Sequence, residues 1–207
     1  MTRFGSPAHE ITGVAREVEA DMIVSGSGKK GNFESFIMGS VTRALLTDAK
    51  RSILVGKQMV EDGQKINIVY ATDHSEYADS CIDHLIDLSP AGIGKVTVVS
   101  ANTVEPDIRD MLDEHNRTTG DGMSMTDALE DRNRLVCEKL SAVCDSTESV
   151  VIQGHANEVI NAAMEKSSAD LLVLGAHGHG FLERLVIGST AMHMIGNEPW
   201  NTLVLRL

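Results

Sequence analysis

From Lys65 onward, short β-branched runs alternate with stretches in which apolar residues recur every three or four positions. The runs Ile66–Ala71, Val96–Ala101, Val150–Gln153, Leu171–Leu174 and Thr202–Leu205 predict strands. Most of them are nearly continuous in apolar residues, as strands covered on both faces read. Between them, Ala78, Cys81, Ile82, Leu85 and Ile86 fall on one face of an amphipathic helix. Val159, Ile160, Ala163 and Met164 mark a shorter helix, and a third runs over Met125–Val143 with Leu129, Leu135, Val136, Leu140 and Val143 inward. Regular alternation of strand and helix predicts an open parallel α/β sheet.

The segment before Lys65 carries fewer elements. It predicts the end of a strand at Thr2–Gly5, a helix with Ile11, Val14, Ala15 and Val18 inward, a strand at Met22–Ser25, a helix starting near Met38, and a strand at Ile53–Val55. These are a second version of what closes the chain. Moved back by 149 positions, Ala169–Gly180 lies over Ala20–Gly31, Gly188-Ser189 over Gly39-Ser40, and Leu203-Val204 over Leu54-Val55. A period this long is a duplicated domain rather than a solenoid. The first copy lacks counterparts of Ile66–Ala71 and Val96–Ala101, so it corresponds to the back part of the fold. The chain therefore divides into a partial unit at 1–57, a polar linker at 58–64 and a complete unit at 65–207. Two or three strands with two helices do not cover their own apolar faces. Ile53–Val55 and Leu203–Leu205 are accordingly expected to pair, as an intrachain pseudo-dimer or between chains of a homo-oligomer.

Charge narrows the partners. A formal net charge of −12 over 207 residues disfavours nucleic acid and acidic membrane surfaces. No apolar run approaches the length of a membrane span and no secretory pattern opens the chain. Cys81, Cys137 and Cys144 are odd in number and widely separated, which fits a reducing cytoplasm rather than a disulfide framework. Asp110, Asp113 and Glu114, in the acidic connection between about 102 and 124, read as a solvated surface rather than as metal ligands.

The chemistry concentrates after Leu171–Leu174. Gly175-x2-Gly178 is followed by nine residues and then Gly188-Ser189-Thr190 at the start of an apolar helix. Glycine lets backbone N–H groups approach phosphate oxygens closely. A helix N-terminus adds unpaired N–H groups and the positive end of its dipole. Ser189 and Thr190 add hydroxyl donors, a neutral set suited to an acidic protein. Two competing motifs are chance overlaps. Gly26-Ser27-Gly28-Lys29-Lys30-Gly31 satisfies the dinucleotide pattern, but its twin Gly175–Gly180 does not retain it. The same stretch fails as a Walker A loop, because Ile23 and Lys30 stand where glycines belong.

These residues resemble the universal stress protein family in its ATP-binding branch. The Gly-x2-Gly-x9-Gly-Ser spacing is matched by Gly175, Gly178, Gly188 and Ser189. Ile68–Tyr70 followed by Ala71-Thr72-Asp73, and Gly154 with Ala156 and Ile160, are similar to two further marks of that family. The resemblance implies a five-stranded parallel sheet of order 3-2-1-4-5 with helices on both faces, plus the partial copy. It implies an adenine nucleotide, ATP or AMP, with Mg²⁺ or Mn²⁺ bridging the phosphates. Ala71, Thr72 and Asp73 would border adenine and ribose, and Ala101 would offer backbone to the adenine edge. Gly175 and His177 would lie by the ribose and first phosphate. Gly178, His179, Gly188, Ser189 and Thr190 would wrap the phosphates. In the first copy Lys29 replaces Gly178 and the Thr-Asp element is missing, so a complete site there is not expected. No nucleophile–base–orienter set is evident. The chain reads as a nucleotide-responsive binding protein, with a nucleotide-free pairing module or a slow ATPase as alternatives.

Overall fold

A computed structural model of the chain describes residues 2–26, 38–61, 63–103, 124–178 and 187–207. Helix α1 (Pro7–Glu17), strand β1 (Met22–Gly26), helix α2 (Ser40–Asp48) and strand β2 (Ser52–Gly56) form the leading segment. Then follow β3 (Ile66–Ala71), α3 (Glu76–Asp87), β4 (Ile93–Asn102), α4 (Met125–Leu140), β5 (Ser146–Gln153), α5 (Ala156–Ser167), β6 (Leu171–Gly175), α6 (Ser189–Asn197) and β7 (Asn201–Leu205).

The seven strands among the described residues join one sheet in the order β1-β2-β7-β6-β3-β4-β5. The last five, read in their own chain order, run 3-2-1-4-5, and every pair among them is parallel. The sheet does not stop at five strands. β2 pairs antiparallel with β7, Ile53 opposite Val204, Leu54 opposite Leu203 and Val55 opposite Thr202. β1 then pairs parallel with β2. The expected pairing of the two apolar strands thus occurs within the chain.

Period-two alternation divides the core between the faces. Val69, Leu172, Leu174, Val55 and Val204 pack with Ala15, Leu45, Leu46, Ile160, Met164, Met194 and Ile195, from α1, α2, α5 and α6. Ile68, Tyr70, Val98, Val173, Leu203 and Leu205 pack on the opposite face with Cys81, Ile82, Leu85, Val136 and Leu140, from α3 and α4. Sheets covered on both faces have strands without a polar side, which is why these strands read as apolar runs.

Some local expectations differ from the structure. Thr2–Gly5 is not a strand; it leads into α1, which starts at Pro7, where proline lacks only an N–H that the first turn would leave unbonded. Val18 is exposed because it is the C-cap of α1 and no longer on its inward stripe. Leu135 is also exposed, since the inward stripe of α4 runs through Asn133, Val136, Cys137 and Leu140. β5 starts earlier than its apolar portion, at Ser146, because it is an edge strand whose first half faces water.

Candidate functional site

The sheet reverses its winding between β3 and its two neighbours, β4 and β6, and such crevices at strand C-termini are where open α/β sheets take ligands. A cavity of about 410 Å³ opens there. Its walls include Ala71, Thr72 and Asp73 from the end of β3, Ala101 from the end of β4, and Gly175, His177 and Gly178 from the end of β6. Gly188, Ser189 and Thr190 close it from the start of α6. These separate stretches of sequence therefore meet in one place. His179 lies outside the described residues.

At the α6 end, the local geometry leaves donors pointing outward. Gly188 is the N-cap and makes no side-chain cap. The first helical bond runs from Met192 N–H to the Gly188 carbonyl, so the N–H groups of Ser189, Thr190 and Ala191 precede the ladder. Ser189 is thus the first helical residue rather than the cap its type suggests. Gly188 N–H is already used, donating to the Ala176 carbonyl at 2.7 Å. A second uncapped helix, α5, starts at Ala156 on the same cavity, with His155 as N-cap and no side-chain bond. Two positive helix ends converge on one space, which favours an anion.

The glycines matter through contact rather than through conformation. Among the described residues the glycines with positive φ are Gly5, Gly63, Gly92 and Gly154, so Gly178 does not occupy a backbone region reserved for glycine. A Cβ built on Gly178 would instead stand 2.7 Å from Asp73 Oδ2. On Gly188 it would stand 3.2 Å from the Ala176 carbonyl, and on Gly175 3.2 Å from the Tyr77 ring. Asp73 is fixed from the other side, its Oδ1 accepting from Ser75 N–H at 3.0 Å and Ser75 Oγ at 2.8 Å. Ser75 in turn caps α3, accepting from Ala78 N–H. The His177 ring stands edge-on to Tyr77 with centroids 5.0 Å apart, and Tyr77 donates to the Leu205 carbonyl. Burial pushes the Tyr77 phenol up to about 12, so it is a neutral donor at any physiological pH.

Beneath the cavity lies a buried polar group that the sequence did not point to. His74 Nε2 is 3.0 Å from Asn133 Oδ1 and 3.0 Å from Ser100 Oγ, and Ser100 donates to Asn133 Oδ1 at 2.7 Å. Asn133 Nδ2 donates to the Val150 carbonyl, and Arg132 donates to the His74 carbonyl. His74 N–H donates to Thr72 Oγ1, which ties this group to the Thr-Asp element. His74 sits at φ 57, and burial, with Arg132 nearby, lowers its pKa. The signal available in the sequence was Asn133 at an inward helical position of α4.

A model of the universal stress protein family matches residues 1–57 and 66–206. The chain belongs to the universal stress protein family. Among curated relatives, universal stress protein Slr1230 of Synechocystis is 44% identical over 59 residues, or 28% of this chain. The match takes in 21% of that relative, so the chain spans about a fifth of its length. Among solved structures, the universal stress protein from Archaeoglobus fulgidus DSM 4304 superposes with a TM-score of 0.64 at 19% identity, covering 100% of this chain and 70% of that one. A functionally unknown protein from Pseudomonas aeruginosa PAO1 gives 0.67 at 19% identity, over 99% and 69%. The universal stress protein UspA from Lactobacillus plantarum gives 0.51 at 18%, over 70% of this chain and 100% of its own. At such identities the likeness is one of fold. No helix among the described residues is long and apolar enough to cross a membrane.

Proposed function

We propose that this universal stress protein binds an adenine nucleotide, ATP or AMP, in the β3/β6 cleft, and that occupancy changes its assembly or partner contacts. The phosphates lie against Gly178, Gly188, Ser189 and Thr190, with His179 from the same loop. Gly175 and His177 flank the ribose and first phosphate. Ala71, Thr72 and Asp73 border ribose and adenine, and the Ala101 backbone meets the adenine edge. Mg²⁺ or Mn²⁺ is held chiefly by phosphate oxygens, as such ions usually are. Residues 1–57 act as a partial domain bridged by 58–64 to a complete one at 65–207, and the protein works in the cytoplasm.

The observation that carries this reading is the convergence of two uncapped helix starts, α5 and α6, on a cavity rimmed by Asp73 and Gly178. An anion at one end and a hydrogen-bonding sugar at the other is the ligand such a cleft suits. The test is to purify the protein without added nucleotide, denature it, and chromatograph the supernatant by ion exchange beside Gly178→Val. Adenine nucleotide released by the wild type and absent from the variant is the expected result. An empty supernatant, followed by no heat on titration with Mg²⁺ and ATP, overturns the reading.

A second reading has its own observation, the β2–β7 pairing. Under it the protein is a nucleotide-free pairing module that acts through its strands. The same chromatogram separates the two, since they differ in ligand and not in pairing.

A further inference from the structure

Two cations occupy equivalent places in the repeat. Arg206 moved back by the same 149 positions falls on Lys57. Each follows the last strand of its segment, Lys57 after β2 and Arg206 after β7. Each then reaches across the antiparallel seam to the C-terminal end of the other segment's helix. Lys57 Nζ donates to the carbonyls of Met194 at 3.2 Å, Ile195 at 2.7 Å and Glu198, at the end of α6. Arg206 Nη2 donates to the Leu46 carbonyl, in the last turn of α2. The backbone supports repeat as well. Lys57 N–H donates to Asn201 Oδ1 at 2.7 Å, Arg206 N–H donates to Ser52 Oγ at 3.1 Å, and positions 52 and 201 are again 149 apart. Both contacts need both segments, so together they form a reciprocal clamp.

The clamp is symmetric in form and unequal in consequence. The N-terminus of α6 faces the cavity. A helix C-terminus carries unpaired carbonyls and a partial negative charge of about half a unit. An ammonium placed there satisfies those carbonyls and leaves the positive end of the dipole less opposed. Across the nine residues of α6 the two ends are about 13 Å apart at ~1.5 Å per residue. Resting on the reading of the cleft as a nucleotide site, we propose that Lys57 is a positioning residue for its phosphate end. It locks the last turn of α6 and adds positive potential along the helix, so the leading segment sets the anion affinity of a cleft that none of its described residues lines.

The charged group facing Lys57 is the Glu198 carboxylate just beyond α6, which lies 3.5 Å from His193 Nε2 on the same helix. Asn201 of β7 and Gln58 beside it face it as neutral groups. Burial pulls the ammonium down to about 8, with Glu198 opposing. Between pH 7 and pH 9 it therefore loses its proton, while the phosphates of ATP stay ionised.

The test titrates Mg²⁺–ATP calorimetrically into wild type, Lys57→Arg and Lys57→Met at about pH 7 and about pH 9, at fixed ionic strength. A unit charge acting on two phosphate charges over about 15 Å, in an effective dielectric of about 40, corresponds to roughly a three- to sixfold change in affinity. Wild type is expected to weaken by that factor between the two pH values, Lys57→Arg to bind tightly at both, and Lys57→Met weakly at both. Equal affinities and equal pH dependence in all three overturn the proposal, even if Lys57→Met melts earlier, because a purely structural role moves stability alone. If Lys57→Met does not fold, parallel pH profiles of wild type and Lys57→Arg overturn it by themselves. A wild type that binds no ATP at either pH removes the nucleotide reading and this one together, whereas a wild type that binds beside indifferent variants removes this one alone.

Discussion

Substituting Gly178 by Ala perturbs the site through Asp73, and the expected result is a coupling rather than a large single effect. The new Cβ would lie 2.7 Å from Asp73 Oδ2 and 3.6 Å from its Cγ, with no other described atom outside its chain neighbours within 4 Å. A carboxylate on a rotatable side chain moves away at little direct cost, by roughly 0.7 Å to reach ordinary contact. What it gives up are the two bonds from Ser75, and with them the tension on the α3 cap. Surface hydrogen bonds of this kind are worth about 0.5–1.5 kcal/mol each, and the Ser75–Ala78 cap bond is not itself broken, so weakening the two costs about 1–2 kcal/mol. Against it, alanine at a φ that is not positive stabilises by about 0.4–1 kcal/mol through the unfolded chain. Gly178→Ala alone should therefore be mildly destabilising or neutral. In an Asp73→Ala background the obstacle is gone and the same substitution should stabilise. The double-mutant cycle should give a coupling of about 1–2 kcal/mol. Urea unfolding followed by the fluorescence of Trp200, the single tryptophan, reads it without any ligand. Additivity within about 0.3 kcal/mol would refute the argument that Gly178 is glycine because of Asp73. The repeat points the same way, since the first copy has Lys29 in that position and no counterpart of Asp73.

Asn133→Ala should cost about 2–4 kcal/mol in urea unfolding, because it removes from the interior the amide that His74, Ser100 and the Val150 carbonyl share, leaving His74 and Ser100 only each other. His74 has a folded pKa below its usual value, so its contribution to stability is present above about pH 6.5 and lost as pH falls towards the folded value. His74→Asn, whose residue tolerates positive φ, should flatten the stability profile between about pH 7 and pH 5, and an unchanged slope would assign that dependence elsewhere. Leu46→Ala removes a fully buried side chain from the α2 face of the core and should lower stability by about 2–5 kcal/mol. Asp145→Asn should shift the urea midpoint by less than about 0.5 kcal/mol equivalent, because its ion pair with Lys65 is more than half exposed on both sides.

Legibility followed burial. Strands β3, β6 and β7 are covered on both faces, and their apolar runs give their positions within a residue or so. β5 has polar residues along its exposed first half, so its apolar run covers only the later part of the strand. Leu135 and Asn133 show the limit of hydrophobic periodicity. A leucine facing water and an asparagine facing the core exchange their expected places, because the interior there is a polar group around His74. The cleft was legible for a different reason. Its glycines and hydroxyls carry the spacing by which the chain resembles its family, and the structure brings them to one cavity. Gly178 reads in the sequence as room for a phosphate to approach the backbone. Its missing Cβ also makes room for Asp73, more than a hundred residues earlier, which spacing along the chain does not encode.

The repeat itself carried more than it first disclosed. Alignment of the two copies put hydrophobic strand on hydrophobic strand, which follows from a common fold. That Lys57 falls on Arg206 and Ser52 on Asn201 needs a further cause, because none of the four belongs to an apolar pattern. The antiparallel pairing of β2 with β7 supplies it: strands that cross their partners in opposite directions deliver the residue after each strand to the same place on the other copy's helix. Two cations then meet two helix C-termini, where carbonyls lack intrahelical partners. A seam built from apolar strands alone fixes which strands pair and leaves the helices free to shift along them. A seam that also ties α2 and α6 by their ends holds the helix that opens on the cleft, so the leading segment is part of the site's geometry although none of its described residues lines the cavity.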